Sequence, residues 1–467
     1  MRRTEPRRPS TWKVRRDVAG GKRGDGHRRT RKVRRPDPNA IHAGRPDANL
    51  TGVAGLAAFG GWVREVGVDR ELSARFGGLK SDPRVIYPMA GQLRLLIDAF
   101  VAGEGRVFGL ESLASDPLFV HLAGGVVPSL DTVYADLERF GEAELAALEA
   151  MVAAHGLSRL RAYRGRWAHF DLDTTVCPHD SEEIEGALPG PNPKYRGRPS
   201  LHPILARIAE LGTVVGAQLR PGDRGLGVED APLVGGWVRR AKEQLRKGTE
   251  LCVRIDAGGD CAEILAAIHA EKSFYVVKAR ITPDLFGAIT AVPRWRTTDR
   301  DADGRPIRQV AELNFARETW TKRRLTVRVL AVRSLERHGK QLPLPGTDCA
   351  WTVQAFLTNR VDDADEIAWD YDGRAGVEPL IAELKSAWFI GAASSTSFVS
   401  NHVVLLLKTL SHNLLDRYVR ARLPQVAPWR TPWRRRLLIR APGRLSISGH
   451  RRALHLLPAS PLNRHDE

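Results

Sequence analysis

Three carboxylates and three other polar side chains stand at spacings suited to reaction at phosphorus. Asp173 lies at the end of HFDLDTT and Asp256 near the end of VRIDAGG, and both segments read as strands. Carboxylates at strand ends project from the edge of a sheet, where loops form a crevice. Two such strands side by side would bring both carboxylates within reach of a shared cation. A third acid on a packed helix would complete an all-oxygen site for Mg²⁺, with Mn²⁺ as the alternative. Two ions about 3.5–4 Å apart activate a water or 3′-hydroxyl and stabilise the leaving oxygen of an in-line displacement. Taken singly, an Asp at a strand end is more commonly a turn residue or helix N-cap, and Asp171, Asp180 and Asp260 compete for the same roles.

The segment YDGRAGVEPLIAELK places Tyr371, Arg374, Glu378 and Lys385 at spacings of three, four and seven. At about 100° per residue they share one helical stripe about 60° wide. Val377, Leu380, Leu384 and Trp388 fall on a neighbouring apolar face. A helix buried by that face aims Glu, Arg and Lys at whatever borders it: one carboxylate for metal, two cations for phosphate. An ordinary exposed charged face has the same pattern. Pro379 disfavours helical geometry at Glu378, so a helix beginning there would leave Tyr371 and Arg374 on a preceding turn.

The elements needed to position these groups follow in a definite order. Residues 1–47 are Arg-, Pro- and Gly-rich and read as a disordered basic arm. Residues 48–160 read as a helical domain, with GQLRLLIDAFVAG at helical spacing and GEAELAALEAMVAAHG ending in Gly156 as a C′ glycine. Between them PSLDTVYADLERF, capped by Ser129, is either the second helix of a DNA-binding helix-turn-helix or a bundle helix. Residues 161–281 then give three strands, helix, strand, helix, strand, the signature of a mixed sheet. Residues 282–348 alternate polar and apolar around a DADGR turn and read as an inserted β-rich module. Residues 349–416 resume the core with the strand CAWTVQAFLTNR and two helices, and 417–467 form a basic C-terminal segment.

Charge and composition restrict the function classes. Of the 467 residues 42% are hydrophobic, which rules out a wholly disordered chain. No stretch approaches the roughly 18 apolar residues of a membrane helix, and the basic start lacks the apolar core of a signal peptide. Cys177, Cys252, Cys261 and Cys349 show no zinc spacing and read as reduced cytosolic thiols. The net charge is +18, and residues 1–45 hold sixteen Lys/Arg against four Asp/Glu, a net of +12. A second basic run from Arg417 to Arg452 includes WRTPWRRRLLIR. Such runs release counterions on meeting phosphate, giving strong, salt-sensitive affinity for nucleic acid; a solubilising tail has the same composition.

With HFDLDTTV, VRIDAGG and YVVKAR upstream, the motif at Tyr371, Arg374, Glu378 and Lys385 resembles the Tyr-Arg-Glu-Lys signature of bacterial insertion-sequence DDE transposases. The likeness covers roughly residues 48 to 445 and is greatest to the family catalogued as thirteen-eighty. It implies an α/β, ribonuclease H-like catalytic core with a β-rich insertion before the last acid. In agreement, 83 positions separate Asp173 from Asp256 and 122 separate Asp256 from Glu378. By position, the resemblance makes Asp173, Asp256 and Glu378 the catalytic metal ligands for two Mg²⁺ ions. Asp173 is preferred over Asp171 because Thr-Thr follows it. Arg374 and Lys385 would hold phosphates about the scissile bond and Tyr371 a flanking phosphate. Trp295 or Trp320 would stack an extruded base, although either suits the module's core equally well. The implied activity is cut-and-paste transposition: binding terminal inverted repeats, cleaving at element ends and joining 3′-hydroxyls to target DNA. A hairpin intermediate, a homodimer on DNA and a bacterial cytoplasmic, nucleoid-associated location are further expectations. The extended basic arm and Pro379 depart from the family pattern. Two rivals share the residues: a DNA-binding repressor without catalysis, and a metal nuclease without strand transfer.

Overall fold

The computed structural model describes residues 38, 44–190, 195–335, 351–449, 451–458 and 460–464. Nearly all of the expected basic arm, Cys349 and the end of the expected insertion lie outside them.

Apolar spacing in the first part of residues 48–467 produces helices α1 (Gly55–Glu65), α2 (Val68–Phe76), α3 (Met89–Ala102), α4 (Leu130–Leu137) and α5 (Glu142–Leu157). Helix α3 is buried on nearly every side, because LLIDAFVA offers solvent no polar stripe. Ser129 caps α4, its hydroxyl accepting the Thr132 N–H at 3.3 Å. Gly156 is not a C′ residue. It lies within α5, where a Cβ would stand 2.2 Å from the Val214 carbonyl oxygen, so it serves close packing of helix on strand.

Besides a small sheet of three short strands (Cys177–Pro178, Leu188–Pro189 and Pro199–Leu201), nine longer strands follow among the described residues: β1 (Trp167–Thr174), β2 (Ile204–Ile208), β3 (Thr213–Gln218), β4 (Glu250–Ile255), β5 (Phe274–Lys278), β6 (Arg296–Arg300), β7 (Pro306–Leu313), β8 (Arg328–Leu335) and β9 (Trp351–Thr358). They form one mixed sheet in the order β6-β7-β8-β9-β5-β4-β1-β2-β3. β1, β4 and β5 run parallel, and antiparallel pairs flank them on both sides. The expected run of three strands, helix, strand, helix, strand is present, with helices α6 (Ala231–Glu243) and α7 (Ala262–Ala270) between β3 and β5. The β-rich stretch is no separate sheet. β8 pairs with β9 from Arg328↔Thr358 to Leu335↔Trp351, so the expected insertion extends the core sheet edge.

Side-chain alternation decides what each face carries. Phe170 and Leu172 of β1 and Val253 and Ile255 of β4 enter the core shared with α6 and α7. His169, Asp171 and Asp173, and Cys252 and Arg254, therefore take the opposite face. Helices α8 (Ala364–Asp372), α9 (Val377–Ala387) and α10 (Phe398–Arg422) follow in sequence, with Ile367, Ala368 and Tyr371 of α8 packed beside Cys252. In α10, Asn413 hydrogen-bonds both Val214 backbone groups and the Val152 carbonyl, tying β3 to α5. Helix α11 (Thr431–Leu438) precedes a hairpin, Gly443–Ser448 with Arg451–Leu456, which pairs with Leu50–Thr51 near the start of this unit. Among the described residues no helix is long and apolar enough to cross a membrane.

The basic run at 417–452 is divided between exposed side chains such as Arg430 and Arg436 and side chains bound inside the fold. Arg435 is buried, stacks 4.1 Å from Trp388, and donates to the carbonyls of Phe100, Val101 and Ala387. Those carbonyls end α3 and α9, where the helix dipole favours a cation. Arg434 is held by Asp416 and the Ala427 carbonyl, and Arg440 donates to the Ala102 carbonyl. Much of this run fastens helix ends.

Candidate catalytic site

In the parallel pair of β1 and β4, Asp171 stands directly across from Arg254; in the antiparallel pair of β1 and β2 it stands across from Arg207. Asp171 is completely buried, and both oxygens are taken. Oδ2 accepts from Arg207 Nε at 3.0 Å and Nη2 at 2.8 Å, while Arg254 Nε reaches Oδ1 at 2.6 Å and Arg254 Nη2 reaches Oδ2 at 3.0 Å. Two guanidiniums thus consume the carboxylate, and Asp171 has no lone pair directed at the crevice.

The same parallel register runs on to Leu172↔Ile255, and the next residues along the two chains are Asp173 and Asp256, near enough for the Asp256 charge to act on Asp173. Both are partly exposed. Asp256 caps a short turn, accepting the Gly258 N–H at 2.9 Å. Arg374 Nη2 lies 3.0 Å from Asp173 Oδ1. Burial pushes the Asp173 carboxyl up to about 6, and the nearby Asp256 charge pushes the same way against the pull of Arg374. A pair of adjacent hard carboxylates carrying this repulsion suits a divalent cation.

The signature helix is broken where proline requires it. Tyr371 ends α8, Arg374 lies in a 3₁₀ turn over Gly373–Gly376, and Glu378 and Pro379 occupy the first turn of α9. The chain bends closely here: Arg254 Nη1 donates to the Asp370 carbonyl, and a Cβ at Gly373 would stand 2.9 Å from that nitrogen. Tyr371 is buried with its ring 4.5 Å from Phe356, and burial pushes its hydroxyl up to about 12. Lys385 Nζ donates to the Val176 carbonyl at 2.7 Å, just beyond β1.

Tyr371, Arg374, Asp173 and Asp256 are therefore brought together, with Lys385 anchored beside them. Glu378 is not brought in with them. It is exposed and has no hydrogen-bond or ion-pair partner among the described residues. Among those residues no three His, Cys, Asp or Glu side chains gather closely enough to hold an ion. Yet Arg374 and Lys385, four residues before Glu378 and seven after it, both touch the end of β1.

The family model described as transposase DDE domain, group 1, matches residues 39–465. The chain belongs to the DDE transposases. A transposase acts on DNA, and the carboxylate pair beside Arg374 is the arrangement that suits such a substrate. Among solved structures, the transposase is similar to a piggyBac transposase synaptic complex with hairpin DNA, determined by cryo-EM. That likeness has 11% identity and a TM-score of 0.37 over 79% of this chain and 81% of the other, too slight to carry residues or activity across. None of the curated proteins matches the chain.

Elsewhere in the transposase the two candidate stacking tryptophans differ. Trp320 is buried, against Phe315 at one edge and with Arg317 4.9 Å from its ring, so it offers no free face and its assignment to base stacking is withdrawn. Trp295 is partly exposed, with Arg333 4.5 Å from its ring centroid. Arg207 and Arg254 were not visible as site residues, since only cross-strand register joins them to Asp171. Neither was His202, which bonds the Arg224 carbonyl through Nδ1 at 2.8 Å and senses both Asp256 and Lys385. Burial holds its pKa below the usual value, favouring a neutral ring.

Proposed function

We propose that the chain is an insertion-sequence transposase of the Tyr-Arg-Glu-Lys type, most like the family catalogued as thirteen-eighty, with a ribonuclease H-like core behind a helical DNA-binding domain. It binds the terminal inverted repeats of its element, cleaves at the ends and joins the 3′-hydroxyls to target DNA. The observation that carries the reading is the gathering of Asp173, Asp256 and Arg374 where the parallel pair of β1 and β4 ends, with Arg374 3.0 Å from Asp173.

In this reading Asp173 and Asp256 hold the divalent ions, Mg²⁺ by preference, and Glu378 joins them from the first turn of α9. Bound ions would supply charge stabilisation at both the attacking and leaving oxygens. Arg374 pairs with Asp173 and would hold a phosphate oxygen of the scissile strand. Lys385 adds a second cation at the β1 end, and Tyr371 lines the site beside a flanking phosphate. The fixed carbonyl bond of Lys385 and the Asp171 network hold these groups without reorganisation during reaction. Two element ends are processed together, so the working form is a homodimer on DNA. A hairpin intermediate at those ends, stacking of a base on Trp295 and a nucleoid-associated location complete the proposal.

The test is incubation with Mg²⁺ and DNA carrying the flanks of the coding region. Cleavage at paired inverted repeats, and joining of a pre-cut end to plasmid, are expected. Cleavage without joining would reduce the protein to a nuclease; end binding with neither would make it a repressor.

A further inference from the structure

Beside α9 lies a cavity of about 390 Å³. Arg207, Arg420, Arg430 and Arg434 line it, with Pro379 and Ser386 on the α9 wall. Its anionic groups are already committed. Asp416 takes three guanidiniums, those of Arg159 at 3.1 Å, Arg420 at 2.8 Å and Arg434 at 3.1 Å. Glu383 accepts from the backbone N–H and hydroxyl of Thr431. Arg207 shares Asp171 with Arg254. Positive charge is therefore left over around the cavity.

Two details point to an anionic occupant. Arg434 is nine-tenths buried, yet its Nε has no hydrogen-bond partner. Such a donor keeps its full positive character beside the cavity that Arg434 lines. At the rim, exposed Arg430 makes no side-chain hydrogen bond or ion pair among the described residues. Next to it Pro432, Trp433 and Arg436 are also exposed, so the rim continues into a basic and aromatic surface.

We infer that this cavity seats one backbone phosphate of a DNA strand, against the Pro379–Ser386 wall of the Glu378 helix. Guanidiniums are suited to a phosphodiester because their forked donors match its paired oxygens. The inference rests on the family's action on DNA and is independent of which acids hold metal.

The experiment is fluorescence anisotropy of a short labelled duplex with the full chain in EDTA, across a salt titration. Arg430→Ala should weaken binding roughly five- to tenfold and lower the salt slope by about one. Ser386→Glu, which sets a carboxylate on the exposed α9 wall, should weaken it at least as much. Arg246→Ala, in the exposed loop before β4 and so at the end of that strand opposite Asp256, is the charge control. Wild-type affinity and slope in both cavity variants, with unfolding temperatures also unchanged, would overturn the proposal. So would stabilisation of the wild type, but not of Arg430→Ala, by inorganic phosphate while duplex affinity stays the same, since the cavity would then take free phosphate. Because metal is absent throughout, failure here is separable from failure of the cleavage assignment.

Discussion

Arg254 Nε lies 2.6 Å from Asp171 Oδ1, across a parallel strand pair in which the two residues are direct partners. Together with Arg207 this forms a buried three-member ion network directly beneath the aspartate pair. Asp171→Asn should cost about 3–5 kcal/mol, because it leaves two guanidiniums buried with no countercharge. Urea unfolding measures it. A midpoint equal to that of the wild type would show that the network is not what holds β1, β2 and β4 in place.

Arg435 should matter through packing and helix-end bonding. Arg435→Met strands the carbonyls of Phe100, Val101 and Ala387, at roughly 3 kcal/mol or more. Exposed Arg436→Ala, one residue along, should change stability by less than about 0.5 kcal/mol. Thermal unfolding of the two variants compares them. Equal losses would contradict the division of this basic run into buried ties and surface charge.

Lys408 supplies a pH signature. It is buried in α10 with its ammonium donating to the Phe389 carbonyl at 2.7 Å, and burial lowers its pKa from 10.5 to about 7. Between those values the unfolded chain binds more protons than the folded one. This group therefore makes stability rise with pH across that window, by up to about 1.4 kcal/mol per unit. Lys408→Met removes the effect, so its stability relative to the wild type should be greatest near pH 7 and decline toward pH 10. A difference that stays flat over that range would contradict a desolvated Lys408.

DNA binding should be steeply salt-dependent. With several phosphates neutralised, affinity should fall by about a thousandfold or more between 50 and 200 mM salt. Anisotropy with the full chain tests this, and a flat response would remove the charge-based reading of the net +18.

Much of the fold was legible because β1 and β4 alternate plainly: Phe170 and Leu172 against Asp171 and Asp173, Val253 and Ile255 against Arg254 and Asp256. A fresh helix start just before Pro379 was legible too, since proline lacks the N–H that a continuous helix needs there but fits a first turn. The choice between Asp171 and Asp173 was not. They lie on one face of one strand, and what separates them is Arg207 and Arg254, which register brings in from 36 and 83 residues away. WRTPWRRRLLIR looked like a surface run for the same reason, because the helix ends it ties down are distant in sequence. Strand alternation in β6–β8 likewise says nothing about which edge they join, so a continuous sheet read as a separate module. The position of Glu378 relative to the aspartates depends on the bend at Gly373–Gly376, which no spacing rule specifies.

The most direct test of metal-dependent cleavage by this site is an assay of Asp256→Asn and Glu378→Gln on end-containing DNA in Mg²⁺, beside the wild type. These substitutions remove charge and little shape, so both variants should bind the ends nearly as well as the wild type while cleavage disappears. Full cleavage by either variant would contradict the account.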